Sequence, residues 1–386
     1  MLANVVLGLA CSRRAAVLGV LSAAALAARP AAAQSPPYLS DGTAWIGTAS
    51  ACAAPNGWTA GRLFHGKLPS SLAGYCRYVW NESLGPRPSS GDVLGLFTGS
   101  GASALTEDAP VVVPQGAVSA LEEDVRRGLR AAMHQQLGDV SLLPVRPTAP
   151  VVRIAVIDSA PDAVAGAIVP GTNRHGDTLA HLIEDAVCGW TQDGVLSDAC
   201  AAEVVTVLAL PWARRGVPAV GGGNVGTLGD LALAIERALS NWRADRQAHP
   251  TTTPVRLVLN LSLGWEDLPG IADCGTGPAD GMAPPARAVR AILQHAAGQG
   301  VMVVAAAGND SGGPTPRTGL ICPGRFQAVP QDVDPTASLV TAASGVDYAD
   351  QALATARPGG ITGVVAPGLG GVAWAAADVV PPAPEP

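Results

Sequence analysis

Charge is scarce in this 386-residue chain: Asp, Glu, Lys and Arg together make up 14% of it, and no run of basic residues is longer than two. A surface that follows a phosphate backbone needs clustered cations, so nucleic acid is not an expected partner. No C-x-x-C pair and no D-x-D-x-D loop occurs, so neither zinc nor calcium is expected, and nothing points to another cofactor. The apolar stretch over 15–28 falls short of the roughly 20 residues that a membrane-spanning helix needs. No internal repeat is evident, and no serine follows Ser344.

What is present is apolar. A content of 48% supports a sizeable core in one large or two medium domains, and the net charge of −7 fits an acidic globular protein. With 46 glycines and 33 prolines, most of the proline lying between apolar runs, many loops are expected. The first 33 residues read as an export signal, because Arg13-Arg14 precedes a small-residue apolar stretch that ends in Ala31-Ala32-Ala33 before Gln34. The arginine pair resembles a twin-arginine signal. A secreted or periplasmic location follows, with no stable membrane insertion once residues 1–33 are removed. Their removal takes Cys11 and leaves six cysteines, an even number suited to an oxidising compartment. The sequence-local pairs Cys52–Cys76, Cys188–Cys200 and Cys274–Cys322 are the ones expected.

Residues 34–116 show no sustained hydrophobic period. Next, Val118, Leu121, Val125, Leu129 and Met133 recur at three and four residues, which predicts an amphipathic helix, with Ser119 and Glu122 as its capping box. The stretch SLLPVRPTAP breaks every regular pattern and places a domain boundary near residue 150, dividing an N-terminal region, 34–150, from 151–386. Beyond it the texture changes. VVRIAVID, AEVVTVLAL, PVRLVLNLSLG and GVMVVAAAGN are near-continuous apolar runs, as strands buried on both faces require. TLAHLIEDAVCG, TLGDLALAIERALSNW and ARAVRAILQHAAGQG alternate with them at helical period, so the fold class is α/β with a parallel sheet.

In such a sheet, ligands gather outside the carboxyl ends of the strands. Asp158 ends the first strand, His175 stands where a loop meets a helix, and Gly308-Asn309 ends a strand of small alanines with a carboxamide donor able to bind an oxyanion. Ser262, Leu263 and Gly264 end another strand with a backbone suited to pairing with an extended peptide. Taken singly, an aspartate there can be a turn cap and a histidine can be structural.

In this order and spacing the motifs over residues 151–368 resemble those of the subtilases, the subtilisin-like serine peptidases. VIDSA is similar to the family's aspartate motif, HGDTLAH to its histidine motif, LNLSLG to its substrate strand, VVAAAGND to its oxyanion-asparagine motif and VVAPG to the turn before its serine. The histidine motif keeps His175, Gly176 and Ala180, with Asp177, Thr178 and His181 where the family has Thr, His and Gly. The resemblance implies a three-layer α/β fold, a parallel sheet with helices on both faces, and a monomer acting on protein or peptide substrates. It further implies that Asp158 orients His175, that His175 is general base and then acid, that Asn309 donates to the oxyanion, and that Ser262, Leu263, Gly264 and the loop containing Gly223 line the substrate. Residues 34–150 could then be a propeptide.

In the family a short loop after Ala-Pro-Gly leads to Gly-Thr-Ser, the nucleophile. Residues 369–386 have about the length of that loop and contain no serine, so the expectation is a peptidase domain, 151–386, incomplete at its C-terminus. A peptide-binding pseudopeptidase is the alternative. An α/β-hydrolase with Ser262 as nucleophile fails on order, since Asp158 and His175 precede that serine. Gly221, Gly223 and Gly226 match G-x-G-x-x-G but do not follow a strand directly, so they read as a loop before a helix. His181 lacks the i, i+4 spacing of a metal-binding pair with His175, and Trp265 lines the groove or joins the core.

Overall fold

The structure, a computed structural model, describes residues 44–66, 68–97, 101–112, 152–159, 175–190, 196–200, 202–213, 224–252, 254, 256–266, 274, 281–309, 319–326, 339–346, 351–353, 356–359 and 364–367. The export signal, the helix expected at 116–138, Gly223 and the tail 369–386 lie outside the described residues.

An N-terminal lobe comes first. It contains β1 (Ala44–Thr48), β2 (Trp58–Arg62), the short helix α1 (Ser70–Ala73), β3 (Tyr75–Trp80), α2 (Ser90–Phe97) and β4 (Ser103–Glu107). The strands form an antiparallel sheet in the order β2-β3-β1-β4. Successive side chains of a strand point to opposite faces, and here both faces are covered. Trp45 joins a small cluster with Trp58, Tyr78, Val93 and Phe97, tied by the Cys52–Cys76 disulfide. Its neighbour Ile46 belongs to the main core.

Then follow β5 (Pro110–Val112), β6 (Val152–Asp158), α3 (His175–Val187), β7 (Cys188–Trp190), β8 (Leu196–Cys200), β9 (Ala202–Leu208), β10 (Trp212–Ala213), β11 (Asn224–Thr227) and α4 (Leu228–Ala248). The last elements are β12 (Arg256–Leu261), α5 (Pro284–Ala297), β13 (Met302–Ala306), β14 (Thr341–Val346) and β15 (Val364–Pro367). Six strands form one sheet in the order β15-β14-β13-β12-β6-β9, every neighbouring pair parallel. The α/β class and the four long strands and three helices read from the sequence are all present. Ala155, Val156, Ile157 and Asp158 are fully buried, which is why β6 carries no polar alternation.

The chain moves one way along the sheet from β6 to β9 and the other way from β9 to β12. Right-handed crossovers then set α3 on one face and α4 with α5 on the other. Helices α4 and α5 pack on each other. The point where the direction reverses lies between β6 and β12, and that is where an open α/β sheet forms its crevice.

Helix α4 is buried on two sides. Leu228, Leu231, Ala232, Ile235, Ala238, Leu239 and Trp242 make one continuous stripe at steps of three and four residues. Gly229, Ala234 and Glu236 are buried as well. The helix starts in a capping box, Thr227 Oγ1 accepting from Asp230 N at 3.2 Å while Asp230 Oδ2 accepts from Thr227 N at 2.9 Å. Its N-terminus is held by the lobe: Asp108 Oδ1 accepts from Gly229 N at 2.8 Å, and Arg77 reaches Asp230 at 2.9 Å. Further along, Glu236 accepts from the backbone amides of His65 and Gly66. Ile46, Leu63, Phe64, Tyr75 and Val111 therefore share one core with the helices and the parallel sheet.

Gly226, read from the sequence as part of a loop, lies on β11, which pairs with β10 on one side and β5 on the other. A Cβ there would sit well inside van der Waals contact with the Ala209 carbonyl oxygen. Gly226→Ala is expected to cost about 1–3 kcal/mol through the shift it forces, read as a lower urea midpoint with an unchanged m-value.

Candidate active site

Asp158 closes β6, its side chain fully buried. The turn after the strand folds back on it: Asp158 Oδ1 accepts from Ser159 N at 2.7 Å and from Ser159 Oγ at 2.9 Å. The same oxygen lies 2.9 Å from Nδ1 of His175, the first residue of α3. Ser159 Oγ in turn accepts from Gly176 N at 3.2 Å, so one hydroxyl joins the carboxylate to the start of the helix that carries the histidine. Nothing in VIDSA itself marks Ser159 for this part, because a small polar residue after a strand ordinarily reads as turn chemistry.

The His175 side chain is 24% exposed while its partner is sealed, so one end of the imidazole is fixed and the ring remains open to solvent. Burial, the largest influence, disfavours the imidazolium. The Asp158 charge and hydrogen bond together outweigh it, and the His175 pKa is raised above its ordinary value. A carboxylate on Nδ1 selects the tautomer that leaves Nε2 as the proton acceptor.

The neighbouring strand β12 runs on into Ser262, Leu263 and Gly264. Ser262 is half-buried and accepts from Asn260 Nδ2 at 3.1 Å. Leu263 is fully buried, so only its backbone can face a ligand. Trp265 is core, packed edge-on against Phe326 at 5.9 Å, and its backbone exchanges two hydrogen bonds with Cys322, which the disulfide ties to Cys274. The register of β7 and β8 sets Cys188 opposite Cys200, and Cys200 is disulfide-bonded.

One strand further, β13 leads through Gly308, at φ +101°, to the exposed Asn309. A Cβ on Gly308 would lie 2.6 Å from Ile321, and one on Gly264 would also meet Ile321, so this side chain fills the gap between the two backbones. Arg357, its side chain 3% exposed, packs beside Gly308 and pairs with Glu266 at 2.7 Å. Asp158, Ser262–Gly264 and Asn309 thus stand at the carboxyl ends of three adjacent parallel strands. Among the described residues no group of three or more His, Cys, Asp or Glu side chains is placed to hold a metal ion, and no helix is long and apolar enough to cross a membrane.

No protein-family model matches this sequence, and no curated protein matches it significantly. Solved structures do match. The chain is similar to the prenylagaramide maturation protease PagA, at 19% identity over 62% of this chain and 67% of that one, with a TM-score of 0.32. It is similar to sphericase at 18% identity over 60% and 64% of the two chains, TM-score 0.33. It is also similar to an epidermin leader peptide processing serine protease from Staphylococcus aureus, at 10% identity over 84% and 75%, TM-score 0.45. The match thus spans about two thirds of the first two of these chains, and two of the three, PagA and the epidermin leader peptide processing enzyme, are proteases by name.

Proposed function

We propose that this chain is the body of an exported subtilisin-like serine endopeptidase, with its N-terminal region as propeptide and its nucleophilic serine not among residues 345–386. One observation carries the reading: a sealed carboxylate hydrogen-bonded at 2.9 Å to a histidine that stays partly open, beside the carboxyl ends of β12 and β13. In this arrangement Asp158 orients the imidazole and stabilises the imidazolium, Nε2 of His175 takes the proton of an attacking hydroxyl and returns it to the leaving amine, and Asn309 donates to the oxyanion. The backbone of Ser262–Gly264 pairs with an extended peptide. The antiparallel pairing of β5 with β11, the strand that begins at Asn224, supports a propeptide that occupies the substrate edge. The first 33 residues and the Cys52–Cys76 and Cys274–Cys322 disulfides support export.

No serine follows Ser344. The 386-residue chain with casein is therefore expected to show at most the residual ~10³–10⁴ over water that oxyanion donors and binding provide without a complete triad. Turnover at ordinary serine-peptidase rates would overturn the assignment of the nucleophile. Sequencing the DNA past the Pro386 codon in all three frames is the companion test, a frame encoding Gly-Thr-Ser before an alanine-rich helix being the expected result. With no such frame, a chain that binds extended peptides without cutting them is the reading that stands.

A further inference from the structure

Between the ends of β12 and β13 stands one side chain, Ile321. A Cβ built on Gly308, after β13, would lie 2.6 Å from its Cγ2, and one built on Gly264, after β12, would meet its Cδ1 and, at 3.1 Å, its Cγ1. Both glycines therefore turn their bare faces toward Ile321, which is 6% exposed. The stem of Arg357 closes on Gly308 as well, since the same added Cβ would lie 2.8 Å from the arginine Cδ.

Ile321 is held in this place from both sides. Its N–H donates to the Ala307 carbonyl at 3.1 Å, which ties it to the chain leaving β13. The next residue, Cys322, exchanges hydrogen bonds of 3.0 and 3.1 Å with Trp265, which ties it to the chain leaving β12, and a disulfide joins Cys322 to Cys274. The β-branched side chain is stiff at its first torsion. Volume added to a region packed in this way is felt as strain rather than absorbed.

The consequence rests on the peptidase reading above. A peptide laid along the Ser262–Gly264 backbone with its reacting carbonyl at Asn309 holds the Cα of that residue over the gap between Gly264 and Gly308. Side chains of an extended chain alternate between faces, so the side chain of this residue, and not those of its neighbours, enters the gap that Ile321 already fills. Glycine, alanine and serine need little room there, whereas leucine and phenylalanine need the volume that the isoleucine occupies. We propose that Ile321 sets the substrate class of the site, limiting it to peptide bonds that follow a glycine, an alanine or a serine.

The test uses the 386-residue chain and needs no turnover. Tetrapeptides of the form fluorescein-Val-Val-Ala-Xaa with a free C-terminal carboxylate mimic the acyl half of a cleaved peptide, Xaa being alanine, leucine or phenylalanine, and fluorescence anisotropy gives each Kd. The alanine ligand is expected to bind about tenfold or more tighter than the other two, the scale on which a fitted pocket discriminates by single methylenes. In Ile321→Ala, its fold checked by Tm, the leucine and phenylalanine ligands should gain about that factor while the alanine ligand changes little, and Ile321→Val should fall between. Each titration is repeated with Val111→Asp, which places a charge in the core beneath β5 and unseats that strand from β11, so that a segment of the chain itself does not mask the site. A phenylalanine ligand that binds the native chain as tightly as the alanine ligand, or an unchanged preference in Ile321→Ala, would overturn the role of Ile321 and leave the peptidase reading standing. No binding of any ligand by either the native chain or Val111→Asp would remove the peptide groove itself, and the inference with it.

Discussion

In Asp158→Asn the His175 pKa is expected to fall below 6.5, reversing the direction in which the fold shifts it. Burial is the largest influence on this imidazole and pushes the pKa down; only the Asp158 charge and hydrogen bond carry it above the ordinary value. Asparagine keeps the shape and removes the charge, so burial is left to decide. The His175 ring-proton resonance of the 386-residue chain, followed by NMR through the titration, reads the change without any need for turnover. A variant pKa equal to or above that of the native chain would refute the account.

The linkage changes sign with it. A folded-state pKa above the unfolded one contributes stability that is fully present below about pH 6.5 and is lost as pH rises through the folded value. With the pKa depressed, the contribution is present above that pH and lost as pH falls. On the peptidase reading proposed above, a version of the chain carrying a nucleophile should lose about 10⁴ in kcat, because an asparagine amide can donate to Nδ1 and select the wrong tautomer.

The second large effect concerns Asp108. Its carboxyl is fully buried and sits at the start of α4, with Gly229 N at 2.8 Å and an Arg77 nitrogen at 3.5 Å. Burial pushes its pKa up to about 7; Arg77, Thr227 and Gly229 oppose that shift and Asp230 adds to it. The folded chain therefore binds more protons than the unfolded one between the ordinary value of 3.8 and about 7. Stability should fall as pH rises across that window, by an upper bound of about 4 kcal/mol. Asp108→Asn should remove this slope and be the more stable protein at pH 8, measured as urea midpoints across the range. His175 contributes a loss of the same sign, but only above about pH 6.5, so the Asp108 variant isolates the lower part of the window. A native midpoint that stays flat between pH 4 and 6.5 would exclude the effect.

The residues at the strand ends were legible because parallel-sheet strands buried on both faces leave unbroken apolar runs, and a run such as VVRIAVID can end in a buried aspartate only where something answers the charge. What answers it, His175 together with Ser159, is half visible. The histidine begins a helix of clear period, whereas the serine acts through a backbone amide of the next helix, a contact that no spacing encodes. Leu263 within LNLSLG and Trp265 just after it are a different case, because their side chains are core and only the backbone there is left to face outward.

The lobe was the least legible part. A five-residue strand such as β1, with Trp45 facing one cluster and Ile46 the other, has no polar face to mark its period. The pairing of β5 with β11 joins Val112 to Val225, a separation that local patterns cannot report.

Helix α4, wrapped on both sides, bears on the order of events during synthesis. The strands of the lobe lie within residues 44–107 and pair with one another, so a ribosome delivers a self-contained sheet long before Leu228 emerges. When α4 does emerge, a finished surface carrying Ile46, Leu63 and Tyr75 is already there to receive it. The parallel sheet, whose long-range pairings close slowly, can then grow against a helix that is already seated.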